Sequence, residues 1–282
     1  MPNLIPLLDH VVVNVHERLD DAASRYRRLG FQLTPRGHHS LGSSNHLAIF
    51  DTDYLELLGF EAGKATTGRG DLLAEPRGLT GLVFKSADST GLHREILARG
   101  LEVEGPPREF TRPVELPGAT ADARFRTVRL AAHQVPNGRI YFCHHFTPEL
   151  VWRGHWQAHP NGVTGVAEYV IAAADPARTI GLLARLFGSE HVSQGQHGQQ
   201  LRAGGASVVV LSPEAAVRRF GASVPPLIDG RDRMVALVLR TTALETARAA
   251  LAAGEVRGIA EIDGLLVVPP AEAAGVTVAF TE

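Results

Sequence analysis

The sequence predicts an α+β protein of four βαβββ modules, whose strands curl into two cupped half-barrel sheets with helices outside. Three observations predict it. Glycines at Gly30, Gly100, Gly188 and Gly254 each close a stretch of helical spacing. An apolar, strand-like run lies twenty positions before each glycine, at 8–15, 80–85, 166–172 and 234–239. Further short strand-like segments follow each glycine. A repeated unit of this kind sets the fold, because one unit alone leaves a sheet face uncovered and pairs with another. Paired units make a cup lined by alternate residues of its strands. Four units therefore predict two cups, each a candidate pocket.

In the first module the strand at 8–15 is rich in β-branched residues. Leu19, Ala22, Ala23, Tyr26 and Leu29 recur at helical spacing up to Gly30. Residues 31–34 read as a short strand and 36–45 as a glycine-containing loop. Segments 46–50 and 54–58 read as a hairpin turning on Asp51-Thr52-Asp53. The second module repeats the order with strand 80–85, helix 89–99 and short strand 101–104. An insert broken by Pro106, Pro107, Pro113 and Pro117 follows. Strands 124–132 and 139–146 then flank Pro136-Asn137-Gly138, a strong turn signal. Segment 147–162 holds both tryptophans and little periodicity, and its part 151–162 reads as the connection between two halves, 1–150 and 163–282. The third module has strand 166–172, a helix over 175–187 opened by Asp175-Pro176, and strands 201–203 and 207–211. The fourth has strand 234–239, helix 243–253, and strands 265–268 and 276–280.

With 282 residues, 44% of them hydrophobic, the chain can bury a sizeable core. A net charge of −2 gives no basic field for nucleic acid and no basic stretch for a membrane surface. The single cysteine, Cys143, excludes an internal disulfide framework. The opening Met-Pro-Asn-Leu-Ile-Pro shows no secretory pattern, and no run of about 18 apolar residues spans a bilayer. The expected location is the cytoplasm, the expected partner a small molecule, with a homodimer left open.

The repeat bears on chemistry. The positions twenty before each glycine are His10, Thr80, Glu168 and Met234, so two of the four carry metal-capable side chains. A four-fold βαβββ pattern with His or Glu in the opening strand resembles the vicinal oxygen chelate superfamily, which includes glyoxalase I, extradiol dioxygenases and metal-free antibiotic-binding proteins. More narrowly, Leu8-Asp9-His10-Val11-Val12, Gly42-Ser43-Ser44-Asn45 and Tyr54-Leu55-Glu56-Leu57 are similar to the glyoxalase-like domain family. So are the segment from His145 through Trp152 and His159-Pro160-Asn161-Gly162. The motifs cover about residues 7–175; the rest matches in repeat pattern. The resemblance implies metal ligands on the first and last strands of paired modules. Those positions are His10 and Glu56 in the first module. In the second they are Thr80 or Gly81, then Tyr141 or Phe142, with His144 and His145 beyond. That set departs from glyoxalase I.

A neutral imidazole and a carboxylate suit a divalent zinc, iron, manganese or nickel ion. His10 and Glu56 are the expected pair, and His39 the expected third ligand, ahead of His38 and His46. Glu56 is also a candidate proton-transfer base, if an apolar cup raises its pKa. Asn45, Tyr54, His144 and Arg126 are the expected substrate-binding residues; Arg124, Arg126 and Arg129 could equally be a solvated strand row. Cys143 and His145 share a strand face, and read as structural. His159 and Trp156 read as linker packing. The expected activity is that of a metal-dependent lyase, isomerase or dioxygenase on a small oxygen-rich metabolite. The alternatives are a metal-free small-molecule-binding protein using the same cup and a dimeric scaffold without pocket chemistry.

Overall fold

The computed structural model describes residues 4–61 and 70–282. The first three residues, part of the segment without a secretory pattern, lie outside it. The first half runs β1 (Leu8–His16), α1 (Leu19–Arg28), β2 (Gly37–His38), β3 (Ser44–Ile49), β4 (Tyr54–Gly59), α2 (Gly70–Ala74), β5 (Gly78–Lys85), α3 (Ser89–Ala98), β6 (Arg108–Leu116), β7 (Ala119–Arg129) and β8 (Arg139–His145). The second runs β9 (Val163–Ala172), α4 (Pro176–Phe187), β10 (Val192–Gln194), β11 (Gln199–Ala203), β12 (Ala206–Leu211), α5 (Pro213–Phe220), β13 (Arg233–Thr241), α6 (Leu244–Ala253), β14 (Ala260–Ile262), β15 (Leu265–Val268) and β16 (Thr277–Thr281). Apart from α2 and α5, which lead from one module to the next, this is βαβββ four times over.

Modules one and two share an eight-stranded sheet of order β2-β3-β4-β1-β5-β8-β7-β6, and modules three and four share one of order β10-β11-β12-β9-β13-β16-β15-β14. In each sheet the two opening strands meet antiparallel at the centre, and each runs parallel to the last strand of its own module. Helices α1, α3, α4 and α6 lie outside the cups, between the two sheets. One apolar core therefore joins both sheets: Phe187 of α4 sits 4.6 Å from Phe84 of β5, and Phe31 stacks on Phe280 at 6.5 Å. Helices α1 and α6 approach so closely that a Cβ on Gly254 would lie 1.9 Å from the Arg28 carbonyl oxygen. Gly30, at φ 84°, is also close-packed, a Cβ there lying 2.9 Å from both Ala250 and Asn161. Two of the four repeated glycines thus serve this contact as well as ending a helix.

The two cups differ. The second is filled by its own side chains, with Ala216 and Phe220 of α5 packed among Val170, Val209, Val238 and Ala279. Glu168, the counterpart of His10, accepts a hydrogen bond from Arg219 at 2.6 Å. The first cup keeps a small concavity of about 60 Å³.

Several expected elements fall elsewhere. Residues 31–34 form no strand; Phe31 turns into the core beside Phe50 and His159, and the strand is β2, inside the segment read as a loop. The segment 101–104 contributes a single bridge, Val103 to Leu130. The long strand β6 occupies the proline-broken insert instead. It lies at the sheet edge, where Pro113 need not donate to a further strand. Helix α5 was also unread, although Ser212 caps it through the Ala215 N–H and Pro213 takes its first position. Among the described residues no helix is long and apolar enough to cross a membrane.

Candidate functional site

Alternation along the strands puts His10 and Val12 of β1, Asn45 and Leu47 of β3, Tyr54, Glu56 and Leu58 of β4, and Tyr141 and Cys143 of β8 on the concave side of the first sheet. A β-bulge modifies this at the start of β1. The register against β5 shifts between Leu8 and His10, so Asp9 is the extra residue. Its carboxylate reaches the same side as His10, which plain alternation forbids.

The site is a chain of hydrogen bonds between buried groups. His10 Nδ1 lies 2.6 Å from Asp9 Oδ2, and His10 Nε2 lies 3.2 Å from the Tyr141 hydroxyl. An ionised Asp9 can only accept, so His10 Nδ1 donates to it and Nε2 faces the cup. That Nε2 stands 3.8 Å from Glu56 Oε2. His39, just after β2, follows the same logic. Its Nδ1 lies 2.8 Å from Ser43 Oγ, and its Nε2 faces the Asn45 amide at 3.2 Å and Glu56 Oε1 at 3.8 Å. Asn45 also donates to Glu56 Oε1 at 2.6 Å. Both imidazoles thus turn Nε2 toward one carboxylate. Tyr54 stacks on His10 with ring centroids 4.4 Å apart.

Burial alone would raise the Glu56 carboxyl. His39, His10, the Asn45 hydrogen bond and Arg112 outweigh it and hold the group below its ordinary value. The raised pKa expected of a proton-transfer base is therefore absent: Glu56 stays ionised, which suits a ligand better than a base poised near neutrality. Burial likewise opposes the ionised Asp9, but His145 and His10 hold it far below the carboxylate range. Burial, then the charges of Asp9 and Glu56, push the Cys143 thiol well up. Burial, then Glu56, keep the Tyr141 hydroxyl protonated.

Of the expected residues, His10, Glu56, His39, Asn45 and Tyr54 meet in this cup. His144 and Arg126 do not: they pair across β8 and β7 on the opposite sheet face. There Arg126 bonds Glu109 at 2.9 Å, and His144 packs on Phe146 at 4.4 Å. The row of arginines likewise splits, with Arg129 alone lining the cup. His38 faces Glu61 at 3.3 Å outside the cup, and His46 bonds the Thr34 carbonyl. His159 accepts from the Gln32 N–H and donates to the Ile49 carbonyl, as linker packing requires. Strand registers place Gly81 where His10 stands in the first module, and Tyr141 where Glu56 stands.

Sequence reasoning missed two residues. Asp9 was hidden by the bulge. Arg112, which is 5% exposed and lines the cup from β6, was hidden by the prolines around it.

Each histidine–carboxylate pair is spaced for a divalent ion. Two atoms bound to one ion at about 2.1 Å lie no more than about 4.2 Å apart. The His10–Glu56 and His39–Glu56 separations of 3.8 Å meet that bound pair by pair, each through a different carboxylate oxygen, but one ligand atom from each of the three does not bring all within 4.8 Å of one another. Each Nε2 faces the cup, and the far nitrogen of each ring is hydrogen-bonded to Asp9 or Ser43, as is usual for metal-ligating histidines. A second cluster, Asp9, Cys143 and His145, has ligand atoms all within 4.8 Å of one another. It fits less well. Asp9 Oδ2 already accepts from His10 at 2.6 Å and His145 at 2.9 Å, and the thiol is held neutral.

The glyoxalase-like domain family profile matches residues 8–187. No curated protein matches the sequence. A hypothetical protein from Staphylococcus aureus superposes with a TM-score of 0.66 at 11% identity, over 98% of this chain and 99% of that one. A mutant of 4-hydroxymandelate synthase from Streptomyces coelicolor does so with 0.58 at 12% identity, over 99% and 92%. A fusion of a xylose isomerase-like TIM barrel with 4-hydroxyphenylpyruvate dioxygenase gives 0.57 at 10% identity, over 99% of this chain and 49% of that one. At these identities the likeness is one of fold. The profile, the duplicated βαβββ sheets and the motifs on β1 and β4 agree, and the chain belongs to the glyoxalase-like domain family of the vicinal oxygen chelate superfamily.

Proposed function

We propose that the protein is a divalent-metal-dependent enzyme, a lyase, isomerase or dioxygenase, acting on a small oxygen-rich metabolite in the first cup. One observation carries the reading: the Nε2 atoms of His10 and His39 both face the ionised Glu56 carboxylate, each at 3.8 Å. These three residues would hold the ion, with zinc, iron, manganese and nickel all compatible with such donors. A bound ion of this kind supplies Lewis acidity toward substrate oxygens.

The chain's own groups do the rest. Asp9 orients the His10 ring through Nδ1. Asn45 fixes the Glu56 carboxylate through Oε1. Tyr141 keeps its proton and can donate to a developing oxyanion beside His10. The stacked Phe110 and Phe125 rings, 5.0 Å apart, form an apolar wall that excludes water.

A metal-free binding protein is the second reading. Gly81 and Tyr141 favour it, because they stand where the partner module would complete a ligand set. Metal analysis of protein purified without chelator separates the two. About one equivalent of metal, lost in Glu56→Gln, supports the enzyme. Absence of metal together with stabilisation by a metabolite supports the binder.

A further inference from the structure

We propose that Arg112 is a carboxylate-binding residue, and that the molecule taken up by the first cup carries a carboxylate group. The inference rests on the first cup being a ligand site, and not on its holding a metal.

Arg112 lies on the edge strand β6, where alternation turns it inward with Arg108 and Phe110 to line the cup. It is 5% exposed, a level at which arginine is almost always paired. Yet among the described residues its guanidinium makes no hydrogen bond and no ion pair. Burial pushes its pKa down, and the groups that favour its charge are Tyr54 and Glu56, neither of them within ion-pair distance. Glu56 is turned away from it, toward Asn45, His10 and His39.

Room for this side chain is made by a glycine. A Cβ on Gly37 would lie 2.5 Å from Arg112 Cδ and 2.9 Å from Nη1. The same Cβ would lie 2.5 Å from Asn45 Oδ1, itself buried without a hydrogen-bond partner. The fold thus keeps an unpaired cation in a low-dielectric wall, a costly arrangement unless an anion arrives to complete it.

The ligand class follows from shape and charge. A guanidinium fork matches a planar carboxylate through two parallel hydrogen bonds. Phosphate shares that recognition chemistry, and comparison of benzoate with phenyl phosphate distinguishes the two. The stacked Phe110 and Phe125 pair next to Arg112 gives the apolar part of such a ligand a surface.

The test uses benzoate, its neutral isostere benzamide, and phenyl phosphate, followed by thermal shift and calorimetry on the full chain at constant ionic strength. Benzoate is expected to bind at least tenfold tighter than benzamide and tighter than phenyl phosphate. Arg112→Lys is expected to lose that preference, since a point charge replaces the fork. In Arg112→Met the ligand-free protein is expected to melt no lower than wild type, because a cation without a partner is removed. His10→Ala is expected to keep the benzoate preference while losing metal. A failure of the metal reading therefore leaves this one standing. Equal binding of benzoate and benzamide, no binding of benzoate, tighter binding of phenyl phosphate, or a preference that survives in Arg112→Lys would each overturn the proposal. So would a lower melting temperature of ligand-free Arg112→Met, the mark of a structural cation.

Discussion

Asp9 Oδ2 accepts a hydrogen bond from His10 Nδ1 at 2.6 Å, although the two residues are adjacent on one strand. The bulge at Asp9 makes this possible. The carboxylate orients the ring so that Nε2 faces the cup. Outer-sphere partners of this kind are typically worth about 10–100-fold in metal affinity. Asp9→Asn is therefore expected to weaken metal binding by about that factor in a chelator competition, with the far-ultraviolet dichroism unchanged. An unaltered affinity would mean that the His10 orientation does not depend on Asp9.

Asp53 gives a pH dependence of stability. Burial, only partly offset by its hydrogen bond from the Val166 N–H, raises its pKa from 3.8 to about 6. Between those values the native state holds a proton that the unfolded chain has lost. Stability therefore falls as pH rises through that window and stays lower above it. A shift of about two units corresponds to roughly 3 kcal/mol. Asp53→Asn keeps an acceptor for Val166, so denaturant titrations should show neutral-pH stability rising by about 2–3 kcal/mol and the slope between pH 4 and 6 flattening. A variant less stable at pH 7 would show that the carboxylate is needed in its charged form.

Gly254 tests the contact between the halves. Its φ is ordinary, so no backbone strain is involved; the constraint is the Arg28 carbonyl 1.9 Å from where a Cβ would sit. Gly254→Ala is expected to destabilise by about 3 kcal/mol through overpacking, read as a lower midpoint with an unchanged denaturant slope. Gly100→Ala, whose Cβ meets only an Arg185 side chain at 3.7 Å, carries the cost of φ 68° but no such clash. It should lose less.

Gly37 links the donor cluster to Arg112. Gly37→Ala places a methyl against both Arg112 Cδ and Asn45 Oδ1. Benzoate binding should weaken at least tenfold, and metal binding should weaken with it because Asn45 holds Glu56. Retention of both would show that neither side chain needs its present position.

Much of this was legible in the chain. The glycine–strand spacing gave the modules, and the repeat and the family motifs pointed to His10, Glu56, Tyr54 and Asn45, which the folded chain brings to one face. What stayed hidden has local causes. A bulge is one residue long and leaves no periodic trace, so Asp9 passed as the outward neighbour of His10. Prolines at an edge strand look like a broken insert, which concealed β6 and Arg112. His144 failed on parity: adjacent to Cys143, it necessarily faces the other way. The filling of the second cup by α5 depends on long-range packing that no local pattern encodes.

The central claim is that His10, Glu56 and His39 converge on one ion. X-ray absorption of the protein loaded with one equivalent of zinc tests it most directly, by reading the ion's nearest neighbours. The account predicts nitrogen and oxygen scatterers at about 2.0–2.2 Å with an imidazole signature and no sulfur. A sulfur neighbour at about 2.3 Å would place the ion on Cys143 and contradict it.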